Sequence, residues 1–309
     1  MEMKTTTEPS VQQISLYEEV TNRIIAMIEN GVAPWRKTWS TYGLARNYVS
    51  GRPYTGINYL LMNNTRHNIP YFLTFNQVKE LGGKVKKGAQ AEMVIYFKVF
   101  CKDSDDNTLT LEEANARRLK GEEIKALRFI RYYSVFNVSD IEEVELDLNR
   151  FNEAKLTDNE RLERCEQIIG NMPKLPELRH IDANRAYYNP ALDFINMPDI
   201  KQFESSEHYY PTYFHELIHS TGHASRLARP EVMDFSGFGT TPYSKEELVA
   251  EMGASYLSCI CQIDYAPVIE NSASYLIGWL KVLKDDSKFI FQVASCAQRA
   301  TDFILNNTH

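Results

Sequence analysis

No stretch of this chain approaches the roughly 18 consecutive apolar residues that a membrane-spanning helix needs. Cysteine is sparse. The five residues, at positions 101, 165, 259, 261 and 296, are odd in number and irregular in spacing. The first ten residues, MEMKTTTEPS, lack the apolar core of a secretion signal. These absences argue against an integral membrane protein and against a disulfide-stapled secreted scaffold. The expectation is a protein with reduced thiols in the cytoplasm. Cys259 and Cys261 form C-x-C, not C-x-x-C, and are expected to be packed thiols on an apolar element. Internal repeats and low-complexity tracts are also missing. Histidine is scarce, seven in 309 residues, yet three fall within YFHELIHSTGH, residues 213 to 223.

What is present is enough hydrophobic residue, 43%, to build real cores, in a length that suits two domains. The net charge of −7 taken alone speaks against a nucleic-acid binder. Its distribution does not. Residues 31 to 100 hold ten Lys or Arg and two Glu, a charge of +8, so the rest of the chain sums to −15. Such a split suggests two domains with different partners.

Along the chain, SLYEEVTNRIIAMIEN reads as an amphipathic helix over 14–30, stopped at Gly31. A short helix fits YTGINYLLMNN, and another fits Phe75 to Leu81 before Gly82-Gly83. The β-branched, aromatic run AEMVIYFKVF reads as a strand, with LRFIRYYSVFNV (127–138) as its partner. The polar segment between them, 102–126, reads as a surface excursion with a helix at 111–119. Residues 139–157 are acidic and weakly patterned and mark the domain boundary. Asp158 is expected to cap the next helix. Two extended pieces around Asn189-Pro190 follow, and then helices near 205–220, 244–262 and 271–306.

His215 and His219, four residues apart on a helix, share one face and can converge on one ion. Glu216 projects beside that ion and suits a base, which makes H-E-x-x-H a hydrolytic arrangement. A divalent cation lowers the pKa of water, and a neighbouring carboxylate can take its proton. One divalent metal is expected, with Zn2+ the first choice; two N ligands and a carboxylate would accept Mn2+, Co2+ or Fe2+ as well. The third ligand has several candidates. Ser225 stands where a metzincin would place its third histidine, with Gly222 at the turn and His223 shifted by two. In SKEELVAEMGASYL, Ser244 and Glu247 fit a capping box, and Glu247 and Glu251 share a helix face. Glu247 is the first choice as ligand, in the manner of glutamate zincins, with Glu251 as the support of a ligand histidine. Glu251 and then His223 are the next choices as ligand. Tyr243 and His223 are candidate transition-state donors. ALDFINMP is the candidate edge strand for peptide substrate.

The front of the chain interleaves twelve aromatics with its ten cations between residues 31 and 100. Flat side chains for bases and cations for phosphates are what single-stranded nucleic acid requires. The candidates are Trp35, Arg36, Lys37, Trp39, Tyr42, Arg46, Arg52 and Tyr54, with Lys84, Lys86 and Lys87 in KVKKG.

Taken whole, the chain resembles ArdC-type antirestriction proteins. The matching stretches are APWRKTW, SGRPYTGINYLLM, YFLTFNQVKELGGKVKKG, YSVFNV, YYPTYFHELIHSTGHASRLAR and YSKEELVAEMGASYL. The resemblance implies an α+β chain of two domains. The first, over 11–140, is a small mixed α/β domain that binds single-stranded DNA. The second, over 158–309, is a mostly helical zincin-like metallopeptidase domain with a small sheet. It further implies carriage on conjugative elements and protection of transferred DNA from host restriction. Metal ligands carry over to His215, His219 and Glu247, and the catalytic glutamate to Glu216. The expected partners are single-stranded DNA and an unidentified protein substrate, with a host restriction component as a candidate; no membrane partner is expected. The competing reading is a DNA-binding protection protein whose metal site is structural.

Overall fold

A computed structural model describes residues 15–35, 43–151, 154–182, 184–233, 241–263 and 273–307. The N-terminal half holds α1 (Leu16–Glu29), β1 (Arg46–Asn47), α2 (Ile57–Asn63), β2 (Tyr71–Thr74), α3 (Phe75–Glu80), β3 (Lys84–Val85), β4 (Glu92–Lys102), β5 (Thr108–Leu109), α4 (Leu111–Leu119), β6 (Lys125–Asn137) and β7 (Ile141–Glu142). The C-terminal half holds α5 (Asp158–Gly170), β8 (Glu177–Arg179), β9 (Tyr187–Asn189), β10 (Phe194–Asn196), α6 (Ser206–Ser220), α7 (Pro230–Met233), α8 (Thr241–Ile260), α9 (Ala273–Asp285) and α10 (Phe289–Ile304). The class is α+β, as the sequence indicates.

Local chemistry sets most boundaries. Ser15 caps α1 and Thr74 caps α3, each in a reciprocal capping box with the residue three positions on. Thr157, not Asp158, caps α5, and Asp158 is its first helical residue. A threonine hydroxyl there accepts from the Glu160 amide while Glu160 reaches back, so the box decides the cap. Ser244, expected to cap this helix, lies within it, because α8 begins earlier, at Thr241; the Ser244 side chain lies outside the described residues. The long terminal helix expected over 271–306 is two helices, broken at residues 286–288, where Asp286 accepts from the Lys288 amide.

The main sheet has order β1-β2-β6-β4-β5. Its spine is an antiparallel ladder from Glu92↔Val135 to Lys102↔Lys125, and the expected partnership of the two long strands is what forms. The excursion between them carries α4 at residues 111–119, as its sequence suggests. A small sheet, β8-β10-β9, lies beside α6 in the C-terminal half.

The two halves share a core. Val20, Ile24 and Ile25 of α1 and Leu60 and Leu61 of α2 belong to the same buried cluster as Leu248 of α8 and Ile290 and Ala294 of α10. Trp35 meets Trp279 edge to face, with centroids 5.3 Å apart. The acidic boundary segment is not a free linker either. Within it β7 pairs with β3, Lys84 opposite Glu142, and Phe151 packs edge-on against Tyr71 at 5.3 Å.

Candidate metal centre

The site is built where α6 and α8 cross. Phe214, Leu217 and Ile218 of α6 are fully buried, and so are Leu248, Ala250 and Met252 of α8. The apolar sides hold the helices together and leave the polar sides of His215, His219 and Glu247 facing one point. Close approach is allowed by Gly253: a Cβ there would lie 2.4 Å from Ile218 Cδ1. Gly222, just past α6, is likewise hemmed in by Val232 and by Arg229, whose Nη2 would lie 3.1 Å from an added Cβ.

The geometry brings three of the candidate ligands together. His215 Nε2 and His219 Nε2 are 3.1 Å apart. Glu247 Oε2 is 3.4 Å from His215 Nε2, and Glu247 Oε1 is 3.6 Å from His219 Nε2. Three donors bonded to one ion at about 2.0–2.2 Å in tetrahedral array would stand roughly 3.3–3.5 Å from one another. The observed spacings bracket that range, so the residues fit a divalent cation. Among the described residues these three form the group of potential ligands. Glu251 instead sits behind His215, its Oε1 3.8 Å from Nδ1. His223 turns away to Ser225 Oγ, 2.9 Å distant, and lies 3.7 Å from Asp193. Neither joins the group formed by His215, His219 and Glu247. His223 is therefore not held at the focus as a transition-state donor either, and the Tyr243 side chain lies outside the described residues.

One supporting residue was not singled out by sequence reasoning. Glu246, adjacent to Glu247, accepts from His219 Nδ1 at 3.2 Å. It is held in turn by Arg229, whose Nε lies 3.0 Å and Nη2 2.5 Å from its two oxygens. Arg229 also donates to Thr221 Oγ1 at 2.6 Å and to the Ile218 carbonyl at 2.8 Å. Both side chains are buried. The signal available in the sequence was the doubled glutamate of KEEL, which reads equally as a solvated face; only burial distinguishes the two.

The electrostatics call for positive charge. Glu216, Glu246, Glu247 and Glu251 are all buried, with Arg229 as the buried guanidinium among them. Unpaired buried carboxylates are costly, so a cation or protons must balance them. Protons do so in part. Burial disfavours the charged form of His215, but the Glu247 hydrogen bond and the charges of Glu216, Glu247 and Glu251 outweigh it and push His215 up to about 9. Burial also pushes the Glu216 carboxyl up, against the pull of His215 and His219 and of the Tyr188 backbone amide. Burial would raise Glu246 too, yet the Arg229 charge and the His219 and Arg229 hydrogen bonds hold it below the usual carboxylate range. The His215 Nδ1 atom is buried without a hydrogen bond, and the Glu251 carboxylate lies 3.8 Å from it.

The strand expected as the peptide-binding edge, within ALDFINMP, is β10, and it is the centre of its sheet. Its apolar residues Phe194 and Ile195 are buried, which is what moves it inside. The edge strand lying on α6 is β9.

The expected nucleic-acid contacts fare unevenly. Trp35 is 1% exposed and Tyr54 7%, so both rings are spent on the core and offer no open face to a base. Their apolar area is worth more buried against Trp279 and Phe72 than left in water. Lys84 is paired with Glu143 at 2.9 Å, and Lys86 donates to the Ser139 carbonyl at 2.8 Å, so the acidic boundary segment engages two of the three lysines of KVKKG. Arg46 lies over the Phe151 ring, 5.3 Å from its centroid. Arg52 and Lys87 are exposed. Arg36, Lys37, Trp39 and Tyr42 lie outside the described residues. The five cysteines are all free, with Cys259 and Cys261 buried as expected. Among the described residues no helix is long and apolar enough to cross a membrane.

Comparison with known proteins places these features. Residues 14–136 match the N-terminal domain of the anti-restriction factor ArdC, and residues 163–296 match a zincin-like metallopeptidase model. Two DNA primases named TraC from Escherichia coli are each 31% identical over 94% of this chain, but the chain spans only 27% and 20% of their lengths. A Sinorhizobium fredii protein, y4eC, is 31% identical over 94% of this chain and 91% of its own. Crystal structures of the antirestriction protein ArdC from plasmid R388 superpose over 95% of this chain and 98% of theirs. The metal-free form has a TM-score of 0.73 at 32% identity, and the Mn(II)-bound form 0.71 at 33%. The chain therefore belongs to the ArdC family of antirestriction proteins, with an ArdC N-terminal domain followed by a zincin-like metallopeptidase domain.

Proposed function

We propose that this protein protects transferred DNA from host restriction by binding single-stranded DNA with its N-terminal part, 11–140, and by hydrolysing a protein target at a metal site in its C-terminal part, 158–309. The observation that carries the hydrolytic reading is the common focus of His215, His219 and Glu247 beside a buried Glu216. A structural metal site has no use for Glu216. Its burial is costly and would be removed by glutamine at no loss to ligand geometry.

His215, His219 and Glu247 would hold the cation, with Zn2+ and Mn2+ both suited to two imidazoles and a carboxylate. The Mn(II)-bound form of the R388 relative supports a divalent ion. When bound, the ion supplies a Lewis acid that polarises a carbonyl and acidifies water. Glu216, with its raised affinity for a proton, takes the proton of the attacking water and returns it to the leaving amine nitrogen. Glu246 and Arg229 fix the ring of His219, and Glu251 stands behind His215. Substrate peptide would align on the β9 edge above α6 by strand addition. The target is a host protein, with a component of the restriction machinery as the first candidate.

The test is Glu216→Gln in the full chain, followed by metal content, oligonucleotide binding and survival of a plasmid transferred into a restricting host. Metal and DNA binding are expected to persist while protection is lost. Protection that survives intact would replace this reading with DNA binding alone and a structural metal.

A further inference from the structure

Deprived of Trp35 and Tyr54, the N-terminal half still presents aromatic rings to solvent, but elsewhere. On the β4–β6 ladder Tyr133, Arg131 and Phe129 alternate along one face of β6, since every second residue of a strand points the same way. Tyr96 of β4 sits opposite Arg131 on that face, and its ring lies 5.6 Å from that of Tyr133. Tyr96 and Tyr133 are each 40% exposed and Phe129 45%. Exposed aromatic rings in a row are costly to keep in water, and a solvated sheet face would carry polar side chains instead. Here the rings are interrupted by a cation.

The row ends at a cavity of about 390 Å3 that Tyr133 helps to line. That size falls in the range of small-molecule sites, about 300–1,000 Å3. Arg52 also lines it and is exposed. Asn47 and Gln77 line it as a reciprocal amide pair, with Nδ2 to Oε1 at 2.9 Å and Nε2 to Oδ1 at 3.2 Å. Each amide nitrogen keeps a second hydrogen that this pairing does not use. The Tyr54 hydroxyl is buried against the cavity and makes no hydrogen bond of good geometry. Tyr54, Tyr133 and Asn47 line the same cavity, and burial, reinforced by Tyr133 and opposed by Asn47, raises the pKa of the Tyr54 hydroxyl. An aromatic ring, amide donors, a buried hydroxyl without a well-formed hydrogen bond and an exposed cation in one lining match one ligand class: a nucleobase with its phosphate.

We propose that this cavity takes a single unstacked base of the DNA strand, laid against Tyr133 with its polar edge toward Tyr54, Asn47 and Gln77, while Arg52 takes the adjoining phosphate. The strand then continues along Tyr96, Arg131 and Phe129. The proposal rests on the reading that the N-terminal part binds single strands, and it moves the stacking surface from the 35–54 segment to the β4–β6 hairpin.

Full-length protein would be titrated against a fluorescein-labelled oligothymidylate, for the parent, Tyr133→Ala, Tyr133→Phe and Phe129→Ala, with thermal melting of each. The substituted positions are exposed, so folding should survive. Tyr133→Ala is expected to weaken binding by roughly 5- to 150-fold, as loss of one stacked base implies, and Tyr133→Phe to restore most of it. Phe129→Ala should weaken binding less than Tyr133→Ala. Equal affinity and an equal salt slope for the parent and both alanine variants would overturn the proposal while leaving strand binding intact; the aromatic face would then be a protein-docking surface. Thymidine monophosphate competing as well as the strand, per nucleotide, would overturn the strand assignment for the cavity. A parent that binds no oligonucleotide would sink the underlying reading as well.

Discussion

At the scale of single residues, the centre depends on groups that no motif names. Arg229 and Glu246 form a buried ion pair whose carboxylate also orients His219. Removing one partner of such a pair leaves the other uncompensated and costs about 3–5 kcal/mol. In protein stripped of divalent ions, Glu246→Gln is therefore expected to be less stable than the parent by that order at about pH 7. The pH dependence has a definite sign. The folded state holds Glu246 below its ordinary value of 4.5, so its contribution is present above that value and is lost as pH falls through the folded pKa. Urea melts of parent and variant should converge in acid. A gap that stayed constant from neutrality until both proteins unfold in acid would mean that the pair does not stabilise through its charge. The same residue scale shows where pattern reading stops. His215, Glu216 and His219 announce themselves by spacing. Glu246 does not, because a glutamate that faces solvent and one that faces a guanidinium look alike in a string of letters.

At the scale of elements, the metal focus is a property of two helices held at a fixed distance. His215 and His219 come with α6, and Glu247 comes with α8, so any change of spacing between them moves the third donor relative to the other two. Gly253 permits the present spacing against Ile218. A methyl group there must displace a fully buried side chain or separate the helices, at about 1–3 kcal/mol. Gly253→Ala is expected to lower the melting temperature and, beyond that, to weaken binding of Zn2+ or Mn2+ in a titration of folded protein. Unchanged metal affinity in a folded variant would show that Ile218 yields by rotation and that the helix spacing is set elsewhere. Most elements were legible from periodicity and capping chemistry, including α4 inside a polar excursion. The misses were local competitions: the box at Thr157 overrode Asp158, and the Asp286 turn split one amphipathic run into α9 and α10. The central place of β10 was illegible for a different reason, since strand order is a long-range property.

At the scale of the molecule, the two functional parts are not two independent folding units. The apolar face of α1 lies in the same buried cluster as residues of α8 and α10, and Trp35 is closed in by Trp279. A fragment comprising 11–140 alone would expose that face, so it is expected to aggregate or to lack fixed tertiary structure. Dispersed amide resonances from the isolated fragment would overturn this. The acidic segment thought to separate the parts is folded onto the first of them through the β3–β7 pair and Phe151. Its charge opposes Lys84, so the strong positive balance of residues 31–100 is reduced where the chain returns.

By itself the sequence determined the helix that carries H-E-x-x-H, the long strand pair, the free thiols and the membership of the family, because each follows from spacing or local chemistry along the chain. The tertiary structure decided which of Glu247, Glu251 and His223 lies beside the paired His215 and His219 nitrogens, which aromatics are core and which face solvent, and where Glu246 and Arg229 belong. Those outcomes depend on burial and on distances between residues far apart in the chain, and neither quantity is contained in local sequence pattern.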